Sequence, residues 1–255
     1  MSDDDTRYFS RLRLKTHTAD LAALGRMMSA NLYREHKLIW KAFDIDPEAK
    51  RDFLYRREEA QGDLVYYVVS ARAPQPDPDL WAWDIKEYAP ALANGDRLTF
   101  SLRANPVSRR REERSAADSA AYLAGRKERG ARPTDDTRRV KRDDVVMAAK
   151  RRLIQELGER WFEQVPRVEL ENAAGRAWLE SRGEAGGFAV EEMAVTAYER
   201  QEFVGSGGHC AVVGRMDMEG ILRVTDADKF RALLIGGLGP AKAFGCGLLL
   251  VRCLG

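Results

Sequence analysis

The chain is poor in the residue types on which the commonest site chemistries depend. It has three cysteines in 255 residues, Cys210, Cys246 and Cys253, with no C-x-x-C pair and an odd count. Neither a zinc site nor a disulfide framework follows from that pattern. No apolar run reaches the ~20 residues needed to span a bilayer. The opening "MSDDDTRYFS" is acidic and lacks a basic-then-apolar pattern, so a cytoplasmic protein is expected. The net charge is only +2, which by itself says little about partners. Histidines number three, His17, His36 and His209, so imidazole chemistry has few candidates.

What is present is a chain long enough for one large domain or two small ones, with an ordinary 44% of hydrophobic residues. Its charge is unevenly spread. From Arg109 to Arg142 there are 12 Lys/Arg against 6 Asp/Glu, a local +6 that leaves −4 for the rest. Arg109, Arg110, Arg111 and Arg114 open the stretch; Arg138, Arg139, Lys141 and Arg142 close it. Composition allows a solvated, partly disordered linker. It equally allows a polyphosphate-binding arm, because local positive potential attracts nucleic acid whatever the global sum. Charge alone does not separate the two.

The first half reads as strand, helix, strand, strand. "RYFSRLRLK" (residues 7–15) alternates as a strand, and Asp20 can cap a helix to about Phe43 with Leu21, Leu24, Met28 and Leu32 on one face. Asp44 to Pro47 ends that helix. "RDFLYRREE" and "LVYYVVSARA" form a hairpin around "AQGD". "PQPDPD" is irregular, since three prolines remove donors and fix φ. "LWAWDIKEYA" supplies a short helical turn and an edge strand. The second half repeats the order. "DRLTFSLRANP" is a strand with Leu98, Phe100 and Leu102 on one face, and "DDVVMAAKRRLIQELGERW" is a helix with an acidic start. "GFAVEEMAVTAYERQEFV" and "HCAVVGRMDMEGILRVT" form a long hairpin around "GSGG". "DADKFRALLIGG" is a capped helix, and "AFGCGLLLVRCL" is the last strand. The expected fold is therefore α+β, two tandem ferredoxin-like (RRM-like) β-α-β-β-α-β domains, over residues 1–94 and 95–255.

"GGLGPAKAFGCG" (236–247) is the densest glycine cluster. It fails the P-loop pattern, because Lys242 precedes Ala243 and leads toward a strand, and it fails G-x-G-x-x-G as well. A helix cap explains Gly236 or Gly237. Gly245 and Gly247 suggest a place where another backbone approaches closely, with Lys242 nearby for charge.

Three blocks carry a resemblance. "GLGPAKAFGCGLL" is similar to the C-terminal glycine-rich loop of the repeat-associated RNA-binding superfamily of CRISPR systems. "FSLRANP" (100–106) resembles the strand signature of one branch, and "LYREHKLIWKAF" with "RDFLYR" resembles its N-terminal helix and following strand. That branch is CasE, the CRISPR repeat-processing endoribonuclease of the type I-E Cascade complex. The blocks fall in the family's order across both halves. The basic stretch 109–142 departs from it, being expanded relative to typical members.

The resemblance implies metal-independent cleavage of precursor RNA at the base of a repeat hairpin. A 2′-hydroxyl attacks the adjacent phosphate, leaving a 2′,3′-cyclic phosphate and a 5′-hydroxyl, and the product stays bound in Cascade with its other subunits. No cofactor or metal is implied, and no membrane. The family's catalytic histidine falls on His36, an imidazole able to give or accept a proton at neutral pH. Tyr33 lies one helical turn before it and Lys41 beyond it, at the helix end, as a point charge. Arg103 should face out from its strand toward RNA. Arg200 in the long hairpin and Lys242 in the glycine loop are further RNA contacts, with Gly245 and Gly247 shaping the loop. Arg109, Arg110, Arg111, Arg138 and Arg139 are RNA contacts on charge alone. His17 and His209 match no family motif, and Cys246 reads as a packed thiol. Two other readings compete: a catalytically silent RNA-hairpin-binding subunit of the same superfamily, and a general RRM-type protein. Against the last, no RNP1 pattern of stacked aromatics is evident.

Overall fold

The structure is a computed structural model and describes residues 6–15, 32–43, 51–60, 63–204 and 210–254. The expected helix over 20–31, the Asp44–Pro47 stop, the "GSGG" turn, His17 and His209 lie outside those residues.

Four strands come first, β1 (Tyr8–Leu14), β2 (Phe53–Ala60), β3 (Asp63–Ser70) and β4 (Trp81–Glu87), with helix α1 (Leu32–Trp40) between β1 and β2. They pair antiparallel in the order β2-β3-β1-β4. That is the ferredoxin-like order, in which the first strand lies between the third and the fourth. Leu12 and Leu14 of β1 turn inward and meet Ile39 and Phe43 at the C-terminal end of α1, with Phe53, Tyr55, Tyr66, Val68 and Trp81 completing the core. Arg11 and Arg13 alternate outward to solvent, as the period of two along a strand requires. One expected element is missing. Before β4 there is only a turn closed by Trp81 N–H donating to Asp77 O (2.9 Å), because Pro74, Pro76 and Pro78 supply no donors for a helix.

The second sheet repeats the order with β5 (Arg97–Ala104), β8 (Phe188–Val204), β9 (Cys210–Val224) and β10 (Leu249–Cys253) arranged β10-β5-β9-β8. Helix α3 (Val145–Leu157) begins where the Asp144 carboxylate accepts from the N–H groups of Val146 and Met147. It stops at Gly158 (φ 82°), short of the expected Trp161, which instead opens a 3₁₀ turn. Helix α4 (Arg167–Glu180) then lies against β8, burying Leu170, Trp178 and Leu179, and a four-residue helix α5 (Gly183–Gly186) follows. None of the sequence patterns read above marks α4. Helix α6 (Ala227–Gly236) is capped by Asp226, which accepts from Lys229 N–H, and closes at Gly237.

The basic stretch is folded rather than a loose linker. Strand β6 (Val107–Glu112) pairs with β7 (Arg139–Asp144) as a separate two-stranded ribbon, and α2 (Ala116–Glu128) spans its far end without burying a residue. The ribbon is held at its base by Val107 O, which accepts from Trp178 Nε1 (3.1 Å) and Arg182 Nη2 (3.2 Å).

The two halves meet through the outer face of the first sheet. Leu54 and Val69, with Phe9, Tyr67 and Tyr88, pack on Leu248 and Leu250. That is why the β3 run "LVYYVVS" is nearly continuous in apolar residues: both of its faces are covered. Among the described residues no helix is long and apolar enough to cross a membrane. Leu54→Ala removes a 4%-exposed side chain from this junction and should cost about 2–5 kcal/mol. The urea midpoint should fall accordingly, and an unchanged midpoint would mean that the halves do not depend on each other.

Candidate RNA-cleavage site

Helix α1 presents two consecutive ionisable residues to different environments. Glu35 is 3% exposed and faces Arg57 Nη1 at 3.5 Å. Burial raises its proton affinity, opposed by Arg57, then by Arg215, the Tyr66 hydroxyl and Arg103. His36, next along, is half-buried, with its ring 5.6 Å from Trp40 and 6.2 Å from Phe53. Its Nδ1 is buried and makes no hydrogen bond among the described residues. Burial, and then the positive charge of Arg51, lowers its pKa below the ordinary value. The neutral ring is therefore the resting form at pH 7. Tyr33 stands in the first turn of α1, one turn before His36; its side chain lies outside the description. Lys41 is exposed just past the end of the helix, its N–H still donating to Lys37 O (3.3 Å).

The glycine loop closes over this region. Its 3₁₀ turn, Lys242–Phe244, packs on both α1 and β2, and the Tyr55 hydroxyl donates to Ala243 O (3.0 Å). Gly245 (φ 73°) and Gly247 (φ 92°) are buried. A Cβ at Gly245 would lie 3.3 Å from the Tyr55 ring, and one at Gly247 would lie 2.7 Å from Leu238 O. The close approach expected at these glycines therefore comes from a ring and from the loop's own backbone. Their buried position seats the loop. Lys242 is half-buried and donates to Gly236 O (2.6 Å), and burial and Arg51 lower its pKa. Cys246 is fully buried and its thiol is pushed up to about 12 by burial, which makes it a packing group, not a nucleophile.

Arg103 does not stand free as expected. Its fork binds Asp217 through Nε (2.7 Å) and Nη2 (2.8 Å), and Nη1 donates to Arg57 O (2.8 Å). It does point away from the core face of its own sheet, but the first half lies over the opposite face, where Arg103 emerges. Only 13% of the side chain remains exposed. Arg56 beside it donates to Ser101 Oγ (2.9 Å) and pairs with Glu58. No sequence pattern marked Glu35, Arg57 or Asp217, because their partners are distant in the chain.

Register sorts the basic ribbon into two faces. Arg109 lies opposite Arg142 and Arg111 opposite Val140 on one side; Arg110 opposite Lys141 and Glu112 opposite Arg139 form the other. Glu112 takes Arg110 (2.5 Å), Arg139 (3.2 Å) and Lys141 (3.7 Å) on that second face. Arg138 is committed to Asp136 (2.8 Å). On the first face, among the described residues, only Arg111 has a carboxylate within ion-pair range, Asp136 at 3.6 Å. This face runs into a cleft of about 460 Å³ at the ribbon's base, lined by Arg142, Arg151 and Arg200 with Val107, Asp144 and Phe244. The sequence treats these arginines as equivalent; the strand pleat separates Arg109, Arg111 and Arg142 from Arg110 and Arg139.

Residues 7–253 match the model of a family described as CRISPR associated protein. The chain belongs to that family. Two relatives place it in the CasE branch. It is 28% identical to the CRISPR system Cascade subunit CasE of Escherichia coli over 228 residues, 89% of this chain and 94% of that protein. It is also 28% identical to the CRISPR-associated endoribonuclease Cse3 of Thermus thermophilus over 246 residues, covering 87% and 90%. Among solved structures, Cse3 bound to a 19-nucleotide RNA superposes with a TM-score of 0.64 at 27% identity, covering 97% of this chain and 99% of that one. Thermus thermophilus Cse3 bound to an RNA representing a pre-cleavage complex gives 0.61 at 26%, covering 97% and 99%.

His36 should titrate below the ordinary histidine value when its imidazole resonances are followed by NMR. Because the folded pKa is depressed, its contribution to stability is fully present above the unfolded pKa and is lost as pH falls from there toward the folded value. His36→Gln should flatten the melting temperature against pH in that interval. Titration at or above the ordinary value would contradict the buried, neutral ring.

Proposed function

We propose that this chain is a metal-independent endoribonuclease that cuts CRISPR precursor RNA at the base of the repeat hairpin and keeps the product as a Cascade subunit. The observation that carries the reading is the end-to-end similarity to Cse3 held on RNA before cleavage. In the reaction the 2′ oxygen loses its proton and bonds to phosphorus, the P–O5′ bond breaks, and the departing oxygen takes up a proton. His36 is assigned the first transfer: its lowered proton affinity favours the neutral ring, the form that accepts the 2′ proton. Tyr33 is assigned to orient that ring or hold a phosphate oxygen, and Lys41 to add positive charge from the helix end.

The hairpin stem is assigned to the face of the ribbon bearing Arg109, Arg111 and Arg142, continuing through the cleft to Arg200. Accessible phosphates of A-form RNA suit such a row of guanidinium groups. Arg110, Arg138 and Arg139, each ion-paired with Glu112 or Asp136, are assigned to the ribbon's own structure, and Arg103 to the junction between the halves. We take residues 1–94 and 95–255 as the two domains, since each sheet is built within one of those stretches, and the cytoplasm as the site of action. A general RRM-type mode is disfavoured, because the Phe9 ring packs against Tyr67 (5.9 Å) and Tyr88 (5.5 Å) under the second half.

Incubation with a repeat hairpin in EDTA should give cleavage, abolished by one 2′-deoxy substitution upstream of the cut. His36→Ala should slow single-turnover cleavage about 10²–10⁴-fold with binding retained. Binding without any cleavage by the unmodified protein would instead establish the catalytically silent subunit. Replacing Arg109 and Arg111 by Ala should weaken hairpin binding and reduce the salt dependence by about one unit per lost phosphate contact. The pair Arg110→Ala and Arg139→Ala should leave that slope unchanged; equal effects of the two pairs would remove the distinction between the faces.

A further inference from the structure

Arg51 has no role in any of the assignments above, and its surroundings are unlike those of the other partly buried arginines at the junction. Arg56, Arg57 and Arg103 each face a carboxylate, on Glu58, Glu35 and Asp217. Arg51 is half-buried, its Nη1 is shielded from solvent, and that nitrogen has no hydrogen-bond partner among the described residues. Among them it makes no ion pair either. The neighbouring Asp52 is not available to it, since that carboxylate is gripped by Arg72 through Nε (2.7 Å) and Nη2 (3.2 Å).

Two of its electrostatic neighbours are cationic or can become so, and the third, the neutral Tyr55 hydroxyl, already donates to Ala243 O. The turn that carries Lys242 packs on the helix that carries His36 and on the strand that follows Arg51, and Arg51 lowers the proton affinity of both groups. The three groups come from three elements: α1, the segment entering β2, and the glycine loop that packs on both. His36 Nδ1 is orphaned as well. Glu35, the carboxylate nearest in sequence, is turned toward Arg57 on β2. Arg51 Nη1 and His36 Nδ1 are thus two buried nitrogens without partners among the described residues, and no acid among those residues pairs with the guanidinium, so an anion is the ligand that suits it.

We propose that Arg51 is a catalytic residue whose guanidinium, with Lys242, receives the scissile phosphate beside His36. The inference rests on the nuclease reading above. A phosphodiester brings one negative charge, and its pentavalent transition state adds more on the same oxygens. A preorganised, partly desolvated guanidinium therefore gains strength as the reaction proceeds. Lys242, tied to Gly236 O, adds charge from the glycine loop.

The test compares the intact protein with Arg51→Ala, Arg51→Lys and His36→Ala on a repeat hairpin, with thermal melts as a folding control. Arg51→Ala should lower the single-turnover cleavage rate about 10²–10³-fold. It should change the dissociation constant of a 2′-deoxy, uncleavable hairpin less than about threefold, because the stem contacts are untouched. Arg51→Lys should recover part of the rate. By NMR, inorganic phosphate should raise the pKa of His36 in the intact protein and not in the Arg51→Lys and Arg51→Ala variants to the same extent. Should Arg51→Ala not fold, the lysine variant carries both readouts. An Arg51 variant that cleaves within threefold of the intact protein, while His36→Ala does not cleave, overturns this proposal alone. If His36→Ala also cleaves normally, the catalytic assignment of the preceding subsection fails first.

Discussion

The outer face of the first sheet is closed by the second half, and the site depends on that closure. A four-stranded sheet with one helix can bury only one of its faces. Here the other face is covered by Leu248 and Leu250, with Leu54 and Val69 sealed beneath them. The same contact brings the glycine loop onto β2 and α1. Without it the Tyr55 hydroxyl would lose Ala243 O, and Lys242 would have no reason to lie near Arg51 and His36. The chemistry proposed here is thus a property of the junction and belongs to neither half alone.

Carboxylates divide the arginines into two populations. Asp217 and Glu35 hold Arg103 and Arg57 at the junction, and Glu112 and Asp136 hold Arg110, Arg139 and Arg138 on the ribbon. These guanidinium groups have their charge answered within the fold. Arg109 and Arg142 lie on the other ribbon face, and Arg51 lies beside His36 with no acid of its own among the described residues. A polyanion is drawn to uncompensated charge, so the positions of a few acids decide where RNA is expected to lie. The overall charge of +2 conceals this arrangement, because the cancellation is local and directional.

Much of the fold was legible from short-range pattern. The alternation of "RYFSRLRLK", the hairpins, the acidic start of α3 and the cap of α6 all rest on neighbours within a few residues, and the structure forms each of them. The misreadings have local causes too. Gly158 stops α3 early, and the prolines before β4 leave room only for a turn. Helix α4 went unmarked because "RVELENAAGRAWLE" buries only four residues and carries many charges, so its apolar face is faint. The basic stretch was ambiguous because composition is blind to strand pairing, which gives the segment its order.

The sequence by itself determined the order of elements, the family blocks, and the presence of one histidine on the helix before β2, since each is carried by residues close together in the chain. Tertiary structure alone decided that Arg103 is tied to Asp217, that Gly245 and Gly247 seat a loop, and that Arg51 stands apart from the acids that hold its neighbours. Those outcomes depend on groups brought together by the fold, such as Arg103 and Asp217, 114 positions apart, and the Tyr55 hydroxyl and Ala243 O, 188 apart. Charge and burial at such sites are set by what the fold brings alongside, and no local pattern encodes that.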